Sequence, residues 1–329
     1  MAETYTLAEH LTTSDTPLQK GVIQGLLEWV KIAEFVPFVT TGKLNVKVNR
    51  WKRLPTAQFR ALNETYPTSA GSSEILEESV FVAGGNIDID RQYQGDSDTI
   101  VDPSENQLKM FIASMGYMIN DYFINGDPAS DPKGFTGLKV RVGNLPARQT
   151  VSAAAAADGL DVQASSANRQ TFLDKLNETM HMIPGAQVDA LFLHQNSYLG
   201  LESVLRREGL WRTDKDMFDR EYGIYRGARL IDMGTTVTGA FTGATANYIL
   251  PNTESYTGGG TADGTSVYAV RFGREGGEYL HGWDKHKLQT EGPFKLENRS
   301  QVRTNIEWPV GLALFNPFSV ARLRDLSWV

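Results

Sequence analysis

Cysteine is absent from this chain of 329 residues. Disulfide bonds, thiolate nucleophiles and thiolate metal ligands are therefore excluded. No apolar run approaches the roughly 20 residues that span a bilayer. The first residues also lack a basic region followed by an apolar one, so we expect neither a membrane anchor nor a secretory signal.

Positive charge and catalytic motifs are also scarce. The net charge is −7, whereas a dedicated DNA-binding surface needs an excess of basic residues. No Gly-x-Ser-x-Gly elbow, complete dinucleotide fingerprint or phosphate-binding loop occurs. His281, Asp284 and His286 could supply metal ligands, although an ordinary polar turn is the simpler interpretation. We therefore expect no catalytic residue, no metal site and no cofactor.

A long amphipathic helix is the clearest feature that the sequence does contain. Pro103 and Ser104 begin it, and Ser104 with Gln107 fits a capping box. Gly126 and Pro128 end it, which predicts a rod of about 21 residues and roughly 30 Å. An ordinary core helix of an α/β enzyme is the alternative interpretation. The predicted buried face comprises Leu108, Phe111, Ile112, Met115 and Ile119. We expect this face to pack on the strand from Ile306 to Leu314.

A turn rich in glycine and proline follows this helix, from Asn125 to Leu138. Glycine permits a positive φ or a close approach of two backbones, and we expect Gly126, Gly134 and Gly137 to be used in that way. A short apolar strand is predicted directly after the turn. The turn should redirect the chain and bind no ligand.

Charge is divided between two neighbouring segments that precede the helix. Six basic residues and no acidic residue lie between Lys43 and Arg60, whereas ten acidic residues and one basic residue lie between Glu64 and Glu105. Opposite charges of this kind suit pairing along a ribbon or docking on neighbouring subunits. The candidate contact residues are Lys47, Arg50, Lys52, Arg53, Glu74, Glu77 and Glu78.

The same region predicts a long two-stranded hairpin over residues 46–90. Apolar residues alternate at Val46 and Val48 in one arm and at Ile87 and Ile89 in the other. An isolated two-stranded ribbon is marginal in water, so it should lie on another surface. A solvated hairpin whose charges cluster by chance is the alternative.

An amphipathic segment from Leu18 to Val30 precedes the hairpin, after a polar beginning. Such a beginning has little of its own to pack against, so residues 1–45 are predicted to be an arm whose helix docks on another surface. The candidate contacts of the arm are Val22, Leu26 and Trp29.

The second half of the chain alternates helices and strands. Helices are predicted at 166–183 and 196–208, and a strand at 188–194. Further strands are predicted at 229–233, 248–251 and 266–274. A half-buried strand begins at Gln301 and leads into a last apolar segment that ends at Leu326. This last segment has too little surface of its own chain to bury it, so we expect it to be buried between subunits.

The order of these pieces resembles the HK97-fold major capsid proteins of tailed bacteriophages, and the resemblance covers nearly the whole chain. It implies an α+β fold in which the hairpin is the extended E-loop and the long helix is the spine of a P-domain. The implied division is 1–45 N-terminal arm, 46–90 E-loop hairpin, 91–184 P-domain with spine helix 104–124, 185–290 A-domain, and 291–329 return strand and end of the P-domain.

The resemblance implies a shell protein that assembles into hexamers and pentamers of an icosahedral phage head. The expected location is the virion, after assembly in the host cytoplasm. The expected partners are other copies of the chain, a portal, a separate scaffolding protein and a cement or decoration protein. Packaged double-stranded DNA would be contacted non-specifically, and no membrane is involved.

Two alternatives remain open from the sequence. One is an encapsulin-like nanocompartment, which encloses cargo enzymes, and the other is a soluble α+β binding protein or enzyme. Some capsid proteins of this fold form covalent cross-links between a lysine and an asparagine. Lys52, Asn298, Asn305 and Glu307 do not match the required spacing, so we expect a noncovalent shell.

Overall fold

The computed structural model describes residues 3–14, 16–30, 32–93, 103–153, 159–216, 218–237, 246–259, 263–273, 279–297 and 299–328. The helices are α1 (Leu7–Thr13), α2 (Pro17–Trp29), α3 (Pro103–Asn125), α4 (Leu138–Gly143), α5 (Ser166–His181) and α6 (Gln195–Arg207). The strands are β1 (Glu3–Tyr5), β2 (Phe38–Thr40), β3 (Asn45–Arg53), β4 (Ser72–Ser79), β5 (Phe81–Asp90), β6 (Thr150–Ser152), β7 (Leu160–Asp161), β8 (Ala190–Leu193), β9 (Arg212–Lys215), β10 (Glu221–Tyr225), β11 (Ala228–Asp232), β12 (Thr235–Val237), β13 (Ala246–Tyr248), β14 (Thr265–Val270), β15 (Leu280–Asp284), β16 (Gln289–Lys295), β17 (Gln301–Leu314) and β18 (Val320–Ser327).

Strand β17 organises the first of two large sheets. It is 14 residues long, and one of its edges pairs antiparallel with β5 from Gln301 to Val310. The other edge pairs antiparallel with β16 and then with β15. Strand β2 adds to β15 in parallel, and β1 adds to β2. The first residues of the chain therefore belong to the same sheet as its return strand.

The long helix α3 confirms the predicted spine. It has 23 residues and begins at Pro103, so Ser104 lies inside the first turn and is not the N-cap that we predicted. Proline suits this first helical position because it has no backbone N–H to leave unpaired. Of the predicted face, Ile112, Met115 and Ile119 are buried in the main core, and Leu108 and Phe111 pack against it partly buried.

The packing partner of the spine differs in part from the prediction. We expected the whole face to lie on residues 306–314 of the return strand. Ile306 and Trp308 do share the main core with the helix. Phe111, however, lies over Gly85 of β5, where an added Cβ would be 2.9 Å from its ring. Strand β5 therefore takes part of the surface that the sequence assigned to β17.

The arm helix α2 lies on its own chain, which corrects the predicted docking on another surface. Val22 and Leu26 are fully buried in the same core as the spine. Gly25 allows the close approach, because a Cβ there would be 3.1 Å from the side chain of Ile112. Trp29 stays 42% exposed. Of the three candidate contacts, it alone remains accessible to another molecule.

At the glycine turn, the absence of a side chain lets backbone atoms and the Tyr122 ring approach the glycines closely. The N–H of Gly137 donates to the carbonyl of Gly126 at 2.7 Å, and a Cβ at Gly134 would be 2.0 Å from the ring of Tyr122. None of the three glycines is among the residues with positive φ, so of the two predicted uses of glycine these positions show the close approach.

The apolar strand predicted after the turn is helix α4. Gly137 is its extended N-cap, and Leu138 and Val142 are buried. These two positions are four residues apart and therefore share one face of a helix. The alternating sequence Leu-Lys-Val-Arg-Val suited a strand equally well, and packing decided between the two.

A second sheet carries most of the second half of the chain. Its strand order is β6, β18, β14, β8, β11, β10, β9, with β7 also paired to β18. Helices α5 and α6 confirm the predicted helices, and their apolar faces form a second core with this sheet. The predicted strand 248–251 is wrong in extent, because β13 ends at Tyr248.

The last apolar segment is strand β18, inside the second sheet. Val320, Leu323 and Leu326 are fully buried there. The sequence had suggested that this segment has too little surface of its own chain to cover it, and the sheet provides that surface. Within the described residues, no helix has the length and apolar character needed to cross a bilayer.

Replacing Trp308 by alanine should cost about 3–5 kcal/mol in the free energy of unfolding, because a fully buried indole leaves a cavity. Phe111→Ala is the matched control, since its ring is only partly buried against the same core. Urea denaturation of the unassembled chain measures both values. An equal loss for the two variants would contradict this description of the core.

Candidate assembly interface

The hairpin is shorter than predicted and has a different second strand. Strand β3 pairs antiparallel with β4, and Val46 lies opposite Glu78. Ile87 and Ile89 belong to β5 and lie opposite Thr304 and Val302 of β17. The alternation of apolar and polar residues indicates that a segment is a strand, but it does not show which strand it pairs with. The ribbon is therefore β3 and β4, and its tip comprises residues 54–71.

One face of the ribbon is packed on the body at its base. Val46 and Leu76 contact a small cluster that contains Val80, Trp283 and Phe315. The opposite face of β4 points outward, and Ile75 on that face is 73% exposed. The ribbon is thus anchored at one end, and its far end extends from the body.

Several predicted contact residues pair with each other along the ribbon. Lys47 Nζ is 3.4 Å from a carboxylate oxygen of Glu77, which is its cross-strand neighbour. Lys52 Nζ is 3.8 Å from Glu74, and Arg50 lies opposite Glu74 in the backbone register. Exposed pairs of this kind contribute about 0–1 kcal/mol each. Their placement supports pairing within the ribbon.

Glu78 has a different partner from the other predicted acidic residues. The guanidinium of Arg141 on α4 donates to its two carboxylate oxygens at 2.6 and 2.8 Å. The two side chains are only 10% and 17% exposed. Glu78 is therefore held inside its own chain, and its role as a contact between subunits stays a prediction.

The tip of the ribbon exposes large apolar side chains that the sequence prediction did not single out. The ring of Phe59 is fully exposed, and Leu62 is 93% exposed. Such residues were visible in the sequence as Leu54, Phe59, Leu62 and Tyr66 within an otherwise polar turn. Large apolar side chains that stay exposed side by side favour an interaction site, so the tip is a candidate for one.

The tip has a defined conformation of its own. The Ser69 hydroxyl accepts from the Thr56 N–H at 2.9 Å and donates to the Thr56 carbonyl at 3.0 Å, which joins the two sides of the tip. Arg60 lies 5.2 Å from the centre of the Tyr66 ring. These contacts reduce the entropy that would be lost when the tip binds a partner.

A groove of about 180 Å³ opens between β5 and the spine, beside the glycine turn. Val82 and Met118 in its lining are 60% and 40% exposed. Asp131 accepts a hydrogen bond from the Tyr122 hydroxyl, which raises the pKa of Tyr122 to about 12 and holds the pKa of Asp131 below its usual range. Asp131 therefore stays ionised at the rim, near the exposed Lys133.

The candidate metal ligands lie apart. His281 and Asp284 are three residues apart on β15, so their side chains point to opposite faces. His281 contacts the rings of Trp283 and Phe315, and burial lowers its pKa. Asp284 accepts from the Tyr5 hydroxyl, and burial raises its pKa. Among the described residues, no group of three or more potential metal ligands occurs.

The family model described as major capsid protein GP7 matches residues 39–224. No curated protein matches the chain. Three solved structures resemble it over most of their length. The first is the holo-SrpI encapsulin complex of Synechococcus elongatus PCC 7942, with 13% identity over 90% of this chain and 87% of that chain and a TM-score of 0.59. The second is the capsid of the native GTA particle, with 11% identity over 88% of each chain and a TM-score of 0.57. The third is from Microbacterium phage Oxtober96, with 13% identity over 90% of each chain and a TM-score of 0.54. At these identities the similarity shows the fold alone.

The pairing of Lys47 with Glu77 predicts the outcome of a charge exchange. Lys47→Glu should reduce the yield of shells, because it places like charges opposite each other in the ribbon. Exchanging both residues, Lys47→Glu with Glu77→Lys, should restore the yield. The yield is measured by counting assembled shells in negative-stain micrographs. If the double variant assembles as poorly as the single one, Lys47 acts on a neighbouring subunit and not within the ribbon.

Proposed function

We propose that this chain joins its neighbours through the tip of the hairpin. The chain belongs to the major capsid protein GP7 family and is a shell subunit of a phage capsid with the HK97-like fold. The single observation that carries this proposal is the exposure of Phe59 and Leu62. Although Trp29 and Met118 are partly exposed, the arm, the spine and the last strand cover most of their apolar surfaces within the chain. The hairpin tip does not, and a second copy can cover it.

Burial of the tip supplies a sufficient driving force. A large apolar side chain contributes roughly 1.5–3 kcal/mol when it is transferred fully from water. Each subunit of a closed shell both gives one tip and receives one, so the contribution is repeated around the shell. Contacts that are individually modest can therefore add up in the assembly, while a free subunit remains soluble.

The groove between β5 and the spine is the proposed receptor for the tip of the next copy. Val82 and Met118 offer an exposed apolar lining. Its rim carries Asp131 and Lys133, which match Arg60 and Glu64 of the tip in charge. Complementary charges at a rim set orientation and register. A tip that reaches the groove of the next subunit makes a heterologous contact, which forms a ring when the rotation between neighbouring subunits closes.

We propose hexamers and pentamers of an icosahedral head as the closed form of these rings. Double-stranded DNA inside would meet a chain of net charge −7, which favours weak, non-specific contact. A portal, a separate scaffolding protein and a cement or decoration protein complete the proposed set of partners. The proposed role is structural and requires no catalysis. The five-part division into arm, E-loop, P-domain, A-domain and return strand remains a prediction.

An encapsulin-like compartment is the second candidate, because a solved encapsulin shares the fold with a TM-score of 0.59. Both kinds of shell use one subunit fold, so the structure of the subunit does not separate them. The family match favours the phage shell, since it is to a family of major capsid proteins. Genes for a terminase, a portal and tail proteins beside this gene would support the same choice.

Replacing the exposed tip residues should block assembly and leave the subunit folded. In the double variant Phe59→Ser with Leu62→Ser, we expect the melting temperature to be unchanged, because both side chains are exposed. The fraction of protein in shells, measured by sedimentation, should fall roughly tenfold or more, since each subunit loses several kcal/mol of apolar burial.

The matched control is Phe59→Leu with Leu62→Met, which retains apolar side chains at both positions and should assemble. Met118→Asp tests the receptor and should block assembly to a similar extent. Normal shells from the serine variant would overturn the proposed role of the tip. Normal shells from Met118→Asp alone would leave that role standing and exclude the groove as its receptor.

A further inference from the structure

We infer that Arg141 is a positioning residue that sets the direction in which the hairpin leaves the body. This inference rests on the proposed function, because direction matters only if the tip must reach a neighbour. Arg141 lies on α4, and Glu78 lies on β4 immediately before the ribbon ends at Ser79. The pair therefore joins the base of the ribbon to the body at the point where the ribbon begins to extend.

All three nitrogen atoms of the Arg141 guanidinium are engaged. Its Nη1 and Nη2 donate to the two carboxylate oxygens of Glu78 at 2.6 and 2.8 Å. Nη2 also donates to the carbonyl of Leu312 on β17 at 2.6 Å. Nε donates to the carbonyl of Thr136, in the glycine turn, at 2.9 Å. One planar side chain thus fixes the ribbon relative to both the return strand and the turn.

Geometry distinguishes this pair from the other charge pairs of the ribbon. A bidentate pair between a guanidinium and a carboxylate fixes direction as well as distance. Glu77 is adjacent in sequence but lies on the outer face of the strand, where Lys47 reaches it by a single exposed contact. Loss of the inner pair would leave charged groups partly buried, whereas the outer pair is already in water.

Among the described residues, backbone hydrogen bonds and apolar packing also hold the base of the ribbon. The N–H groups of Thr41 and Gly42 donate to the carbonyls of Asp284 and Lys285. The backbone N–H of Val80 donates to the carbonyl of Leu44 at 2.7 Å, which closes the base of the hairpin. Val46 and Leu76 add an apolar contact with the body. Apolar contacts are non-directional, so they allow the ribbon to tilt. The guanidinium pair supplies a directional side-chain restraint in addition to the backbone hydrogen bonds.

The absence of cysteine makes a direct measurement simple. Ala61→Cys at the tip and Ser114→Cys on the spine both replace exposed residues. Spin labels attached at these two positions report the distance from the tip to the body in the unassembled full-length chain. A fixed ribbon gives one narrow distribution of distances, and a tilting ribbon gives a broad one.

Glu78→Gln is the test variant, and Glu77→Gln is the matched control with the same chemical change at the next residue. In Glu78→Gln we expect the distribution to widen roughly twofold, because a charged bidentate pair is lost. Glu77→Gln should leave it unchanged. Arg141→Lys keeps the charge and loses the planar fork, so it should also widen the distribution. It provides a second variant if Glu78→Gln lowers the melting temperature.

Assembly completes the test. Glu78→Gln subunits should form mostly open or irregular particles, while Glu77→Gln subunits form closed shells. A narrow distribution in both Glu78→Gln and Arg141→Lys would overturn the inference, and so would a broad distribution accompanied by normal shells. Failure of the proposed function is seen separately, as normal shells from the serine variant of the tip.

Discussion

The rest of the structure depends on the pairing of strand β17 along both of its edges. Strand β5 occupies one edge over ten residues of register, and β16 and β15 follow each other along the other edge. The spine covers this sheet through Ile306 and Trp308. The backbone of Leu312 also accepts the hydrogen bond that helps to hold the base of the hairpin. One strand thus connects the core of the subunit to the element that extends from it.

The body of the subunit covers most of its apolar side chains within the chain, whereas the hairpin tip does not. The arm helix, the spine and the last strand each bury most of their apolar residues within the chain, although Trp29 and Met118 stay partly exposed. The tip keeps Phe59 and Leu62 in solvent, although burying them would be favourable. A subunit built in this way can fold before it assembles, and its two most exposed large apolar side chains, Phe59 and Leu62, lie at the hairpin tip.

The sequence predicted the features that depend on local periodicity. The spine, α5, α6 and the long return strand are periodic over many residues, so their type follows from the pattern alone. Choices that depend on distant partners were not predictable. The alternation at Ile87 and Ile89 fits a hairpin strand and a strand beside β17 equally well. Arg141 pairs with Glu78, which lies 63 positions away in the sequence. The five residues from Leu138 to Val142 suited a strand, but their packing in the fold selected a helix.

The central claim is that one subunit covers the hairpin tip of another. A cryo-electron microscopy structure of the assembled shell tests it most directly, because it shows the surroundings of Phe59 and Leu62 in every subunit. We expect both side chains to be buried against the spine and strand β5 of a neighbouring copy, beside Val82 and Met118. A shell in which the tips remain in solvent, with the subunits joined elsewhere, would contradict it.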